Sequence, residues 1–498
     1  MTSIIDFLNE LAAASEASAG HISFHMPGHK GRSSLYERTG YSRFLRNLMA
    51  CDITEIPGAD ALFCPESTIK AVMDGYAELY GVKHSELLVN GSSAGVMAAV
   101  ISSVPIGGKL ILGRNSHHSA FSAMRLWGIN PVYIRPEIDR ECGLVSEISP
   151  SSLEQACRDN PDASAVLITS PNYYGILSDI SALAAIAHEH DMILIVDQAH
   201  GAHLRFFDSD AEAIRAAGGY VTHTRHSAES LGADIVVNST HKTLLSFTGS
   251  GILNICTDRP SVNAVSDTLR MLQTTSPSYL LMGSLDINLR IMSEYGSDII
   301  RKWRSDLTDF YRRAGRIDGL DLITCPIEDD KTYAMYNNRT GLDMTKINIS
   351  MARLGLSGEQ LERELIYKGI IPEMVHGSYV MLMTGAGNVS SDYDALLTAL
   401  KEISANYGVA SGFTGSPLSE PGFDLDSADV PVEYEEVPLY MADGRVLYDP
   451  VIVYPPGTPV ACPGEIMNAQ VISFIAKAIE NEDKVSGVDE EGMIRVGI

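Results

Sequence analysis

Basic residues are scarce in this chain. Lysine and arginine number 37 against 63 acidic residues, a net charge of −26 over 498 residues. That field repels polyanions, so nucleic acid is excluded as a partner, while small cationic ligands are drawn in; the same acidity also serves plain solubility. No stretch approaches the roughly 18 uninterrupted apolar residues of a membrane span, and no membrane partner is expected. The first residues, MTSIIDFLNELAAASEASAG, lack the basic flank and continuous apolar block of a secretory signal. A soluble, cytoplasmic protein is expected. Paired cysteines are missing too: Cys51, Cys64, Cys142, Cys157, Cys256, Cys325 and Cys462 are odd in number and contain no C-x-x-C spacing. They make neither a disulfide framework nor a zinc site, and no metal is expected. Internal repeats and low-complexity tracts are also absent.

Core-building material is plentiful. Hydrophobic residues make up 45% and charged residues 20%, an ordinary globular composition, and the length suits two or three domains of about 150 residues each. After an N-terminal helix, HISFHMPGHKGR (His21 to Arg32) is a loop broken by Pro27, Gly28 and Gly31; the proline and glycine between His25 and His29 rule out a helical metal pair. From Leu87 to about residue 255, short apolar runs alternate with helical patterns. The runs Lys109 to Leu112, Val132 to Ile134, Ala165 to Thr169 and Ile193 to Val196 read as strands of a mostly parallel sheet covered by helices. Beyond Thr257 a TTSPS break precedes a long helix from Asp286 onward. Short strands at Lys346 to Ser350 and Tyr379 to Met383 then alternate with helices, and residues 411–436 read as a linker rich in Gly, Pro, Ser and acids.

Ligands of such sheets collect at the carboxyl ends of the strands, and four features follow strands directly. NGSSAG (Asn90 to Gly95) stands between a strand and a helix, where bare backbone amides bind a phosphate, although such turns also serve as plain N-caps. RNSHHS brings His117, a flat imidazole. Asp197 ends the apolar run Ile193 to Val196. Lys242 lies in ADIVVNSTHKTLLSFTGSG, read as strand, turn, strand. A lysine after a strand is usually a solvated surface group, but one at the edge of a core is partly desolvated, with a lowered pKa and a nucleophilic amine. Pyridoxal 5′-phosphate (PLP) needs this set: a helix N-terminus for its phosphate, a flat partner for its ring, a carboxylate for its pyridine nitrogen and a lysine for its aldehyde.

The blocks HMPGHK, DITEIPGADALF, NGSSAG, RNSHHS, DQAHGAH, STHKT, TTSPSYL and YPPGTPVACPGE occur in an order that resembles the ornithine/lysine/arginine decarboxylases of PLP fold type I, over nearly the whole chain. The likeness is nearest to the shorter, arginine-decarboxylase-like members. Since HMPGHK comes almost at once, a wing domain before it is not expected, and the decameric ring of the larger enzymes is not assumed. The resemblance implies an α/β fold of the aspartate-aminotransferase type. Its parts are an N-terminal helix and loop arm (1–40), a large PLP-binding domain (41–290), a smaller α/β domain (291–410) and a linker with a C-terminal domain (411–498).

It further implies that Lys242 bonds the cofactor aldehyde, Asp197 pairs with the pyridine nitrogen and His117 stacks on the ring. Ser92, Ser93, Ala94 and Ser239 would hold the phosphate, with Ala199 and His200 flanking the cofactor. His241 would contact the substrate carboxylate or deliver a proton. Thr275 and Ser276 would reach the phosphate of a partner subunit in a homodimer or larger homo-oligomer with shared sites. Asp60 and Glu465 resemble acids at the substrate entrance, facing a distal ammonium or guanidinium; surface acids in an acidic protein read the same way. Gln198 stands where many relatives carry glutamate, His118 where many carry lysine, and Ala61 where a polar residue is common. The implied reaction is decarboxylation of arginine, lysine or ornithine to agmatine, cadaverine or putrescine, a step of polyamine biosynthesis. The alternatives are another reaction of the same fold (transamination, aldol cleavage or β-elimination) or a non-catalytic regulatory paralogue, which intact Lys242 and Asp197 argue against.

Overall fold

A computed structural model describes residues 4–16, 21–139, 142–217, 226–323, 341–407, 425–454, 459–481 and 483–498. Cys325 and residues 411–424 of the expected linker lie outside the described residues.

Seven strands make the central sheet: β1 (His84–Leu88), β2 (Lys109–Gly113), β3 (Asn130–Ile134), β4 (Ala163–Thr169), β5 (Ile193–Asp197), β6 (Ile235–Asn238) and β7 (Gly251–Ile255). Their spatial order is β1-β7-β6-β5-β4-β2-β3, and only β7 runs against the rest. The apolar runs are continuous because both faces are covered. Leu110, Leu112, Leu167, Ile195 and Val237 point into one core with Val96 and Phe121. Their neighbours Ile111, Val166, Ile168, Val196 and Val236 point into the other with Leu153 and Leu183. Alternate residues of one strand thus feed two cores, and each side chain so buried contributes about 2 kcal/mol.

Four helices position the chemistry: α1 (Gly91–Ser103), α2 (His118–Trp127), α3 (Thr240–Thr243) and α4 (Tyr279–Ala314). The first begins within the NGSSAG turn itself. Where the sequence suggests a plain turn between β6 and β7, the chain makes the single-turn α3, so Lys242 is helical. Leu244 ends it by leaving the helical backbone region, at φ −99° and ψ −149°. The long helix starts seven residues earlier than its apolar pattern suggests, because the Ser278 hydroxyl accepts the Leu281 amide and caps it at once. It packs on Thr68–Tyr80 and Leu204–Ala216 on one side and Ser390–Asn406 on the other, so residue 290 falls inside one continuous element.

A four-stranded antiparallel sheet follows, β8 (Asp321–Ile323), β9 (Lys346–Ser350), β10 (Met374–His376) and β11 (Tyr379–Met383), in the order β10-β11-β9-β8. The N-terminal loop threads between this unit and α3. Gly28 donates its amide to the His241 carbonyl at 2.7 Å and accepts the Gly387 amide at 2.9 Å, while Ala386 donates to Thr243 at 2.9 Å. A Cβ on Gly28 would lie 2.3 Å from the Leu244 carbonyl oxygen, one on Gly385 2.6 Å from Gly28, and one on Gly387 2.4 Å from His29. Three segments distant in sequence therefore meet backbone to backbone. Backbone cannot yield as a side chain end can, so Gly28→Ala is expected to cost about 3 kcal/mol, read as a lowered midpoint in chemical denaturation.

The C-terminal unit has its own core, including Leu447, Val471, Ile475 and Val496. It docks through Arg114, which directly follows β2.

Candidate active site

The carboxyl ends of β2, β4, β5 and β6 and the start of α1 surround a cavity of about 210 Å³. Register sets its floor: Thr169 on β4 lies beside Asp197 on β5, which lies beside Val237 on β6. Lys242, His241, Asp197, Ala199, His200, His117, Ser92 and Ser93 all line it, as do Gly91, Asn115, Ser116, Thr169, Asn172 and Tyr173. Ala94 is buried in the first turn of α1. Ser239 is buried behind it, its hydroxyl donating to Ser92 at 2.7 Å.

Lys242 Nζ stands 3.0 Å from His200 Nε2. Burial lowers the Lys242 pKa, and the carboxylates of Asp197 and Glu373 oppose that shift. Burial likewise pushes His200 well below the usual histidine range. A neutral His200 accepts from Lys242 through Nε2 and carries its proton on Nδ1. Burial raises the Asp197 carboxyl, against the Lys242 charge and the Ala199 amide, which donates to Oδ1 at 3.1 Å. No guanidinium or ammonium forms an ion pair with Asp197 among the described residues.

His117 and His241 are both neutral near pH 7. Burial, aided by His118 and Lys242, takes His117 down to about 3, and its Nδ1 accepts the Ser119 amide at 3.3 Å. Burial takes His241 down to about 4, although its contact with the Ser250 carbonyl opposes the shift. That contact, at 2.6 Å, makes Nδ1 the donor and leaves a lone pair on Nε2.

Polar groups without partners mark what the cavity is built for. Asn115 Oδ1, Ser116 Oγ, Thr169 Oγ1 and His200 Nδ1 are buried and make no hydrogen bond among the described residues. All four residues line this one cavity. Four such groups in one place are costly without a ligand. At the α1 end, Gly91 has φ +74° and donates its own amide to the Gly249 carbonyl at 2.8 Å, and no side chain caps the amides that follow, which leaves them to an anion. Serine hydroxyls beside an uncapped helix, a neutral imidazole, a buried carboxylate outside any ion pair of the described residues and a desolvated lysine fit PLP.

Other expected residues lie elsewhere. Thr275 and Ser276 are exposed on the bend before α4, away from the cavity. Asp60 and Glu465, expected to offer a counter-charge, lie outside the lining of this cavity, and each carboxylate is engaged by other groups. Asp60 accepts the amides of Ala61, Glu66, Ser67, Ile69 and Lys70 at 2.8–3.4 Å, capping the Thr68–Tyr80 helix. Burial would raise its pKa, but those amides outweigh it and lower it to about 2. Glu465 forms a bidentate pair with Arg114, Oε1 to Nε at 2.7 Å and Oε2 to Nη2 at 2.8 Å. The same guanidinium donates to the carbonyls of Pro459 and Val460. Glu465 therefore helps to dock the C-terminal unit, beside Arg125 on Asp449 and the Tyr133 hydroxyl on the Pro463 carbonyl.

Sequence reading missed Asn115, Ser116 and Thr169 as site residues. The signal was the strand-end rule that found Asp197, applied to β2 and β4.

Comparison with known proteins gives the following. A family profile described as "Orn/Lys/Arg decarboxylase, major domain" matches residues 10–390, and one described as "Orn/Lys/Arg decarboxylase, C-terminal domain" matches residues 426–493. The chain is 32% identical to the arginine decarboxylase of Bacillus subtilis (strain 168) over 489 residues, 96% of this chain and 95% of that relative. It is 30% identical to the arginine decarboxylase of Bacillus anthracis over 483 residues, 94% of this chain and 92% of that one. The solved constitutive lysine decarboxylase of E. coli matches in fold with a TM-score of 0.73 at 18% identity, covering 99% of this chain and 82% of that chain.

Proposed function

The chain belongs to the Orn/Lys/Arg decarboxylase family, and from that premise we propose that it removes the α-carboxylate of arginine, ahead of lysine and ornithine, to give agmatine and CO₂. The choice of arginine rests on near-full-length relatives that carry that name. The fold is PLP fold type I and the cofactor is pyridoxal 5′-phosphate.

One juxtaposition carries the reading. A Lys242 amine held by His200 shares a cavity with the buried carboxylate of Asp197, which makes no ion pair among the described residues. When bound, the cofactor supplies an electron sink for the pair left at the substrate Cα as CO₂ departs. Asp197 would hold a proton on the pyridine nitrogen and so keep that sink deep. Ser92, Ser93 and the uncapped amides of α1 after Gly91 would hold the phosphate, with Ser239 behind Ser92. His117, neutral, would cover the ring without competing for the proton. His200 orients the Lys242 amine. Because His241 Nε2 bears a lone pair near pH 7, Lys242 Nζ is the group that returns a proton to Cα. The active form on this reading is a cytoplasmic homodimer, with Thr275 and Ser276 of one subunit approaching the phosphate held by the other.

Purified protein with added PLP is offered arginine, lysine and ornithine separately, and amine and CO₂ are quantified. Agmatine with equimolar CO₂ from arginine, at a kcat/KM at least tenfold above the other two, is expected. A keto acid or a cleaved side chain without CO₂ would instead assign one of the other reactions of this fold.

A further inference from the structure

Behind the cavity wall lies a charged cluster closed to solvent. Lys346, the first residue of β9, has a fully buried side chain, and Asp343 and His203 are no more than 2% exposed. Lys346 Nζ donates to Asp343 Oδ2 at 2.5 Å, to Thr345 Oγ1 at 3.3 Å and to the backbone carbonyl of His200. Asp343 Oδ1 in turn accepts from His203 Nε2 at 3.0 Å and from the Thr345 amide at 3.0 Å. The turn from Asp197 to His203 is thus fastened at both ends: at the start by the Asp197 side chain on the Ala199 amide, and at the end by a lysine and an aspartate of the small domain.

We propose that Lys346 and Asp343 are positioning residues that hold this turn so that the His200 imidazole meets the Lys242 amine, tying the seating of the small domain to the geometry of the catalytic lysine. Stability alone does not account for the cluster. A buried ion pair is often replaceable by apolar residues at no cost, because desolvation cancels the attraction. Geometry does account for it. The ammonium spends one of its donors on the carbonyl of the residue whose side chain touches Lys242, and a displacement of about 1 Å in such a contact costs up to ~100-fold in rate. The cluster also reaches Lys242 through charge. The groups facing Lys242 are Asp197, His200, His117, His241, Glu373 and Lys346, and Lys346 is the cation among them. Lys346 itself faces Asp343, Glu373, His200 and Lys30.

The inference rests on Lys242 as the cofactor-bearing lysine, and its test has three arms. In Lys346→Met and in Asp343→Asn holoenzyme, kcat is expected to fall about 10- to 100-fold with KM changed less than threefold. The pH midpoint of the cofactor's visible absorbance, measured without substrate, is expected to move in opposite directions, up by about one unit in Lys346→Met and down in Asp343→Asn, as loss of a nearby cation and of a nearby anion require. A merely space-filling pair would move neither midpoint. In unaltered holoenzyme, which needs no variant to fold, the amides of residues 198–204 and 343–349 are expected to exchange with deuterium as one unit. Folded variants within twofold of the parent kcat, midpoints moving together or not at all, or residues 198–204 exchanging well before 343–349 would each overturn the proposal. If no visible absorbance develops in the parent, the cofactor reading fails, and hydrogen exchange of the protein as purified still decides whether Lys346 and Asp343 hold the turn from Asp197 to His203.

Discussion

Lys242→Ala is expected to reduce amine formation by about 10⁴-fold or more, because one substitution removes both the covalent anchor of the cofactor and the proton returned to Cα. The fold should survive it. The Lys242 amine is held out of water by the cavity, at a cost its lowered pKa records, and alanine suits the helical α3 at least as well as lysine. The other contacts of the segment do not involve the Lys242 side chain: the His241 carbonyl on Gly28, the Thr243 carbonyl on Ala386, the His241 imidazole on the Ser250 carbonyl and the Thr240 hydroxyl on Ser246. Single-turnover amine release beside a thermal melt checks both halves. A variant that melts like the parent yet is silent assigns the loss to chemistry, whereas residual activity within tenfold of the parent would remove Lys242 from its role.

Asp197→Asn is expected to cost about 10²–10³ in kcat while leaving the cofactor-free protein as stable as the parent or more so above neutral pH. The sign follows from the raised carboxyl. Since burial lifts the folded pKa of Asp197 above its unfolded value, the folded chain binds more protons than the unfolded one. That contribution is therefore full below the unfolded pKa and is lost as pH rises through the folded value. Asparagine carries no such penalty and can still accept the Ala199 amide. Catalysis pays instead, since a neutral amide cannot hold a proton on a pyridine nitrogen. Melting curves of the cofactor-free variant between pH 5 and 8, set beside kcat of the loaded one, separate the two effects. Equal kcat in variant and parent would sink the assignment.

What could be read from the residues follows from how locally each fact is determined. The parallel sheet was legible because its strands are buried on both faces: Ile193–Asp197 is a run with no polar break until the one carboxylate that ends it. Likewise Lys346–Ser350 and Tyr379–Met383 stand in the structure with the bounds their apolar patterns suggest. The form of α3 was not legible, since four residues are too few for a helical period to appear. Nor could the fate of Asp60 and Glu465 be read. A carboxylate is spent or available according to what folds back on it, amides of the following helix in one case and a guanidinium on the far side of the chain in the other. Lys346 hid for the same reason, because nothing in DMTK says that its ammonium reaches the carbonyl of His200.

The glycine crossing at Gly28 also sets a schedule for biosynthesis. Gly28 leaves the ribosome early, yet the surfaces it is shaped to meet are the carbonyl of His241 and the backbone of Gly385–Gly387. At roughly 5–20 residues per second the arm waits on the order of tens of seconds for them. The pairing of the Arg114 guanidinium is completed later in synthesis still, when Glu465 has been made. Between residues 255 and 385 a nascent chain therefore has every strand of the central sheet but not yet the Gly385–Gly387 backbone that braces the segment of Lys242.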